Sequence, residues 1–242
     1  MSAASTTLRP PGRRAYHFAN GCKSEFKVAS SPRTFAALFA ATARMPRRSP
    51  GYGILEDMPP AADLPLPPPR DPSGPYRICC VCLGNYCRSP MAEAVLRAQL
   101  ALTRGAEHSL DKRVQVDSAG TGDWHIGQRM HRQASIELKR NGYDGESHRA
   151  RQFRPSWLTE RYLILAMDTS NLRDLRALAP SGDSNRIRLL GEIGGLHGAD
   201  IPDPYYGDQA DFARVRAMLE TGMSHLVARL QADPAISGQA TT

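Results

Sequence analysis

Residues 162–167 read YLILAM, six consecutive positions without a charged or amide side chain. A strand apolar on both faces has to be covered on both, which is the situation inside a parallel sheet. YRICCV (76–81) is a second such run, and VQVDSAG (114–120) alternates and ends in glycine. IRLL (187–190) reads as a fourth strand. Helical stretches separate them. Ser89-Pro90 opens one, with Ser as N-cap and Pro in the first turn, and Met91, Val95, Ala98 and Leu102 form its apolar face. ASIELKRNGY (134–143) stops at Asn141-Gly142, and SNLRDLRAL (170–178) is closed by Pro180. Phe212, Val215, Leu219, Met223, Leu226 and Leu230, three and four apart, mark a long final helix. This alternation predicts an α/β fold: a four-stranded parallel doubly wound sheet with helices on both faces. Ligands of such sheets bind beyond the carboxyl ends of the strands. Cys82 follows the first strand there, Trp124 lies after the second, Asp168 follows the third and Asp203 sits in the loop after the fourth.

Composition divides the chain before that domain. Residues 1–50 carry nine Lys/Arg against Glu25 alone, whereas residues 51–242 are nearly neutral. The net charge of +7 therefore belongs to a tail and argues against a nucleic-acid-binding fold. Residues 1–75 are rich in proline, ending in LPLPPPR (64–70), and read as a mostly unstructured, basic N-terminal extension and linker. The catalytic domain is expected over 76–232, with a C-terminal tail at 233–242. No apolar run is long enough to span a bilayer, so no membrane partner is expected. The apolar run 35–41 with Ala41-Thr42-Ala43 resembles a secretory cleavage site, but more than thirty residues precede it. The Arg-rich, acid-poor composition also fits an organelle transit peptide, and a start at Met45 or Met58 is a third reading. Of five cysteines, Cys79, Cys80, Cys82 and Cys87 crowd into nine residues and none follows. That is no disulfide scaffold, and it points to reduced thiols in a cytoplasm.

The loop CLGNYCRSP (82–90) joins the first strand to the first helix. Gly84 and Asn85 tolerate left-handed backbone, so successive amides can turn inward as an anion nest. The helix N-terminus adds positive potential, and Arg88 offers a planar fork matched to two phosphate oxygens. The same field favours an anionic, nucleophilic sulfur at Cys82. Without a Gly-Lys-Ser/Thr run, a nucleoside triphosphate loop is disfavoured. A purely structural helix start would have no need of Arg88. Zinc would need a second Cys/His pair at ligand spacing, and Cys79, Cys80 and Cys82 alternate faces along a strand. No metal or other cofactor is expected.

VCLGNYCRSPMAEAV, DSAGTGDWHIG, HRARQ, ILAMDTSNLRDL and DPYYG, in that order, resemble the low-molecular-weight protein-tyrosine phosphatases over residues 76–232. The resemblance implies hydrolysis of phosphotyrosine through a phosphocysteine on Cys82, with Arg88 as phosphate clamp and Asp203 as general acid. It implies that Ser89 supports the departing thiolate, and that Asn85, Ser118 and His148 hold the loop in shape. Leu83, Gly84, Tyr86 and Cys87 complete the phosphate-binding loop, and Cys87 matches a cysteine able to trap Cys82 as a reversible disulfide. Trp124, Tyr205 and Tyr206 would wall a cleft deep enough to favour phosphotyrosine. Asp168 reads as structural. Two departures stand out. Tyr86 occupies a rim position that is usually aliphatic, or threonine in related arginine phosphatases. His131 replaces a frequent aspartate before a helix, which puts a cap in question. The expected partner is a phosphotyrosine protein, a tyrosine kinase among the candidates, met by a monomer.

Two other functions compete. A thiol-dependent arsenate reductase shares such a loop but needs further cysteines downstream, and none follows Cys87. A non-catalytic phosphotyrosine-binding module would not need both Cys82 and Asp203.

Overall fold

Strand β1, Tyr76–Cys82, is buried at every position except Arg77. The computed structural model describes residues 65–71, 73–105, 109–180 and 182–238. β2 is Val114–Gly120, β3 is Leu163–Ala166 and β4 is Ile187–Leu189. All pair in parallel, in the order β2-β1-β3-β4. The chain thus leaves β1 toward one edge and returns to its other side, and the strand order reverses at β1. The crevice beyond Cys82 is the binding position this topology predicts.

Helices cover both faces. α1 (Arg88–Leu102), α2 (Arg132–Arg140) and the long α6 (Gln209–Ala232) lie on one side, while α3 (Trp157–Glu160) and α4 (Thr169–Leu178) lie on the other. The short α5 (Leu190–Ile193) and α7 (Pro234–Ser237) join the first group. The alternation along β1 sends Cys80 and Cys82 into the core under α1 and α6, and Cys79 and Val81 into the core under α3 and α4. The clustered cysteines are therefore divided between two faces. All six apolar positions anticipated in the final helix are buried.

Three expectations change. α1 is pressed between the sheet and α6, so its buried arc is wider than one stripe and takes in Ala92, Leu96 and Leu100, while Leu102 is exposed. Part of the expected linker, residues 65–71, is held on the domain. Leu66 and Pro67 are buried, the Tyr76 hydroxyl donates to the Pro67 carbonyl (2.8 Å), and Arg70 pairs with Asp183 (2.5 Å). Leu66 finds a groove between its prolines here, and the carbonyls of Pro67 and Pro68 accept from Tyr76 and Arg186. The expected tail also begins later than residue 233, because Asp233 caps α7 and Ile236 is buried. The expected disorder of residues 1–64 lies outside the described residues. Among the described residues no helix is long and apolar enough to cross a membrane.

Candidate active site

The loop after β1 is shaped by donors from outside it. Its carbonyls at Cys82, Leu83, Asn85 and Tyr86 accept from Thr121 N, Gly122 N, His148 Nε2 and His131 N, at 2.8–2.9 Å. With these carbonyls turned out, the amides that follow them, at residues 83, 84, 86 and 87, face the other way, and among the described residues no acceptor engages the amides of 83–89. Asn85, at φ 50°, makes the left-handed turn. Gly84 does not share that conformation; its missing Cβ leaves room for His125, whose Cδ2 would lie 2.9 Å from one. Gly120, at the end of β2, lets the loop rest on the sheet, since a Cβ there would meet backbone atoms of Leu83, Gly84 and Asn85 at 2.8 Å.

A buried hydrogen-bond chain runs beneath the loop. Cys82 Sγ lies 3.1 Å from Ser89 Oγ, and Asn85 Nδ2 donates to both Ser89 Oγ and Ser118 Oγ at 2.9 Å. Ser118 in turn donates to Glu93, which pairs with Arg97 at 2.6 Å. Asn85 Oδ1 accepts from Arg151 N, so this fully buried amide is satisfied at both ends. Ser89 was expected as the N-cap of α1. That position falls to Cys87, whose side chain makes no cap bond, because the Ser89 hydroxyl is committed to the sulfur and to Asn85. The first turn of α1 thus keeps its free amides.

Arg88 is 3% exposed and held from the back. Nη1 donates to Asp168 (2.5 Å) and the Ile201 carbonyl (3.0 Å), and Nη2 donates to Asp203 (2.7 Å). Burial disfavours its charge, but the charges of Cys82 and Asp203 and the bond to Asp168 outweigh that and raise it. Its Nε is buried and has no hydrogen-bond partner among the described residues, a donor prepared for an anion. Asp168, read as structural, also caps α4 by accepting from Asn171 N. Burial, and then the charges of Asp203 and Cys82, push the Cys87 thiol far up; burial likewise leads in raising Cys79 and Cys80, followed by the charges of Asp117 and Glu93 respectively. Burial also holds the His148 imidazole below its ordinary value, although the Asn85 carbonyl acts the other way. In that neutral form Nε2–H is the donor to Asn85.

Cys82, Arg88 and Asp203 line one cleft of about 450 Å³ with Leu83, Gly84, Tyr86, Cys87, Trp124, His125, Tyr205 and Tyr206. Trp124 lies across Gly122, where a Cβ would come within 1.8 Å of the indole. Tyr86 stacks on His125 (4.0 Å, 8°) and meets His131 edge-on (5.5 Å), and Tyr205 meets Tyr206 edge-on (4.7 Å). All the residues anticipated for substrate contact therefore border this cleft except Asn85 and Ser89, which lie beneath it. Ser118 and His148 brace the loop from behind. His131 does cap α2, its Nδ1 accepting from Gln133 N.

A sulfur, a guanidinium and a carboxylate under an aromatic rim suit an aryl phosphate. The model of a family described as low molecular weight phosphotyrosine protein phosphatase matches residues 77–235. The chain belongs to that family. The phosphatase is 42% identical over 162 residues to the low molecular weight protein-tyrosine-phosphatase of Streptomyces coelicolor, covering 64% of this chain and 94% of the relative. It is 38% identical over 157 residues to low molecular weight protein-tyrosine phosphatase A of Mycobacterium tuberculosis, covering 64% and 91%. Among solved structures, a protein tyrosine phosphatase from Entamoeba histolytica with Hepes in the active site matches with TM-score 0.60 at 32% identity, over 65% of this chain and 97% of that one. Vibrio vulnificus Wzb in complex with benzylphosphonate matches with TM-score 0.54 at 28% identity, over 62% and 96%.

Sequence reading missed four residues of the phosphatase site. His125 adjoins Trp124 in the DWHIG motif and could have been found there. Glu93, one turn after Ser89 on α1, carried a spacing signal. Arg151 and Gly120 also stand in motifs, HRARQ and DSAGTGDWHIG, but their roles depend on which loops the sheet brings together.

Proposed function

We propose that this phosphatase hydrolyses phosphotyrosine in proteins through a phosphocysteine on Cys82. The phosphoryl group enters the nest of loop amides and takes over the Arg88 fork from Asp203. The Cys82 sulfur attacks phosphorus while the P–O bond to the aryl oxygen breaks, and Asp203, which takes up a proton from the incoming phosphate monoanion once released from Arg88, delivers it to that oxygen. Arg88 and the amides stabilise the charge on the three equatorial oxygens. Water then attacks the phosphocysteine and Asp203 takes its proton. The P–S bond breaks, and Ser89 Oγ receives the departing thiolate. Trp124, Tyr205, Tyr206 and Tyr86 clasp the phenyl ring, and the depth they create disfavours the shorter phosphoserine. When a peroxide oxidises the Cys82 thiolate to a sulfenic acid, that acid condenses with the Cys87 thiol, forming the S–S bond and releasing water, which spares Cys82 further oxidation. The domain acts as a monomer on phosphotyrosine proteins, tyrosine kinases included, in a reducing compartment such as the cytoplasm.

The observation that carries this reading is the convergence of Cys82, Arg88 and Asp203 on one aromatic-rimmed cleft. Steady-state hydrolysis of aryl phosphates tests it, in the presence of a metal chelator. Cys82→Ser is expected to abolish turnover and keep phosphate binding. Asp203→Ala is expected to slow esters of high leaving-group pKa by about 10²-fold or more, and activated esters far less. Full activity in Cys82→Ser, or equal loss across leaving groups in Asp203→Ala, would overturn the mechanism. Absence of turnover by the wild-type chain would favour a mere phosphotyrosine-binding module.

A further inference from the structure

A second cavity, of about 490 Å³, lies behind the phosphate loop, walled by α1, the end of β2, the 126–130 segment and residues 144–151. Its size falls within the range of small-molecule sites. Pro90, Ala94, Ile126 and Met130 give it an apolar wall, and Ile126 is 58% exposed although large and aliphatic. Its polar side is cationic on balance. Arg97 is matched by Glu93 at 2.6 Å. Arg151 shares Asp117 at 3.4 Å with Arg161, which holds that carboxylate at 2.6 Å, while its Nε donates to the Ser118 carbonyl and its guanidinium lies over the Trp157 ring. Arg149 bonds the backbone carbonyls of His148 and Glu146, and among the described residues no carboxylate pairs with it. Asp144 stands at the same lining, with one oxygen taken by Glu146 N.

This cavity is wired to the nucleophile. Glu93 and Ser118 line it, and from them the buried chain runs through Asn85 and Ser89 to Cys82 Sγ. A carboxylate entering beside Arg149, which holds backbone carbonyls alone, would also compete with Glu93 for Arg97 and so loosen the anchor of that chain. We propose that the cavity is a second ligand site, for a small molecule bearing a carboxylate on an apolar body, and that its occupancy slows turnover through Glu93 and Ser118. The coupling rests on the catalytic roles assigned above; the binding does not.

The two parts are read separately on the full-length protein at pH 7. In an amide NMR titration with hexanoate, saturable shifts are expected at Ala94, Gly127 and Arg149, and hexylamine, with the same chain and the opposite charge, is expected to leave them unmoved. Arg149→Glu and, independently, Ile126→Glu are expected to weaken hexanoate at least tenfold, with unliganded turnover of phenyl phosphate unchanged. Shifts confined to the catalytic cleft, equal response to hexylamine, or undiminished binding in both variants would overturn the site. Saturating hexanoate is expected to lower kcat for phenyl phosphate at least twofold without competing with it. Purely competitive inhibition, or binding with kcat unchanged, would overturn the coupling. Failure of the unliganded enzyme to turn over at all would fall instead on the catalytic assignment.

Discussion

Ser89 has one hydroxyl hydrogen and two acceptors for it, Cys82 Sγ and the Ala119 carbonyl, each 3.1 Å away. Asn85 Nδ2 already donates to the oxygen, so the hydrogen can follow the charge on the sulfur. A thiol donates to Ser89, which then bonds Ala119; a thiolate receives the hydrogen instead. Ser89→Ala removes that response and deprives buried Asn85 of an acceptor, at a cost of about 1–3 kcal/mol. We expect slower breakdown of the phosphocysteine, seen as a larger pre-steady-state burst with kcat reduced about tenfold. Gly120→Ala drives a methyl against three backbone atoms of the loop, none of which can swing aside. Loss of both melting temperature and kcat is expected, and a variant with unchanged kcat would contradict the close packing of loop on sheet. His148 adds a pH dependence. Burial lowers its pKa in the folded protein, so the unfolded chain binds the proton more readily. Its stabilising effect is therefore present above about pH 6.5 and is lost as pH falls toward the depressed folded value. His148→Gln is expected to flatten the fall in melting temperature between pH 7.5 and 5.5. At this scale the motif residues were legible, because a nucleophile, a fork and an acid announce their chemistry. The roles of Arg151 and Gly120, which stand in the same motifs, were not, because their importance arises only where three loops meet.

The elements that carry these residues show how the site is mounted. β2 is an edge strand, yet its outer carbonyls at Val116 and Ser118 accept from Arg97 and Arg151 at 2.9 Å. Guanidinium groups thus occupy part of an edge that another strand could otherwise join. The Asp203 loop is pinned downstream by a capping box, with Asp208 accepting from Ala210 N and Asp211 N, and Asp211 bonding back to Asp208 N. Asp208→Ala is expected to cost about 1 kcal/mol in denaturant unfolding. An unchanged midpoint would show that the box adds nothing. All four strands and the four longer helices were readable, from apolar runs and alternation for the strands and from period and stop signals for the helices. α3, α5 and α7 were not, since four residues make barely one turn and display no period.

Across the whole molecule, the two ends of the sheet have different tasks. The cleft sits at the carboxyl ends, while residues 65–71 lie at the other end, beside Tyr76, Tyr162 and Arg186. Composition alone could not assign this stretch to the domain, because prolines suit a free linker and a seated strap equally. A chain beginning at residue 65 is expected to melt like the full-length protein. One beginning at residue 76 exposes the ground under Leu66 and leaves the buried Tyr76 hydroxyl without its acceptor, for about 3 kcal/mol. Scanning calorimetry should then register a drop of roughly 6–12 °C, with turnover at 25 °C preserved. Equal melting of the two truncations would show that the strap contributes nothing. Because the polypeptide arrives at the base of the molecule, a bead or fusion protein joined directly ahead of residue 65 would grip the enzyme like a cup by its foot. Its mouth would face outward, as open to a folded phosphoprotein as to a free aryl ester.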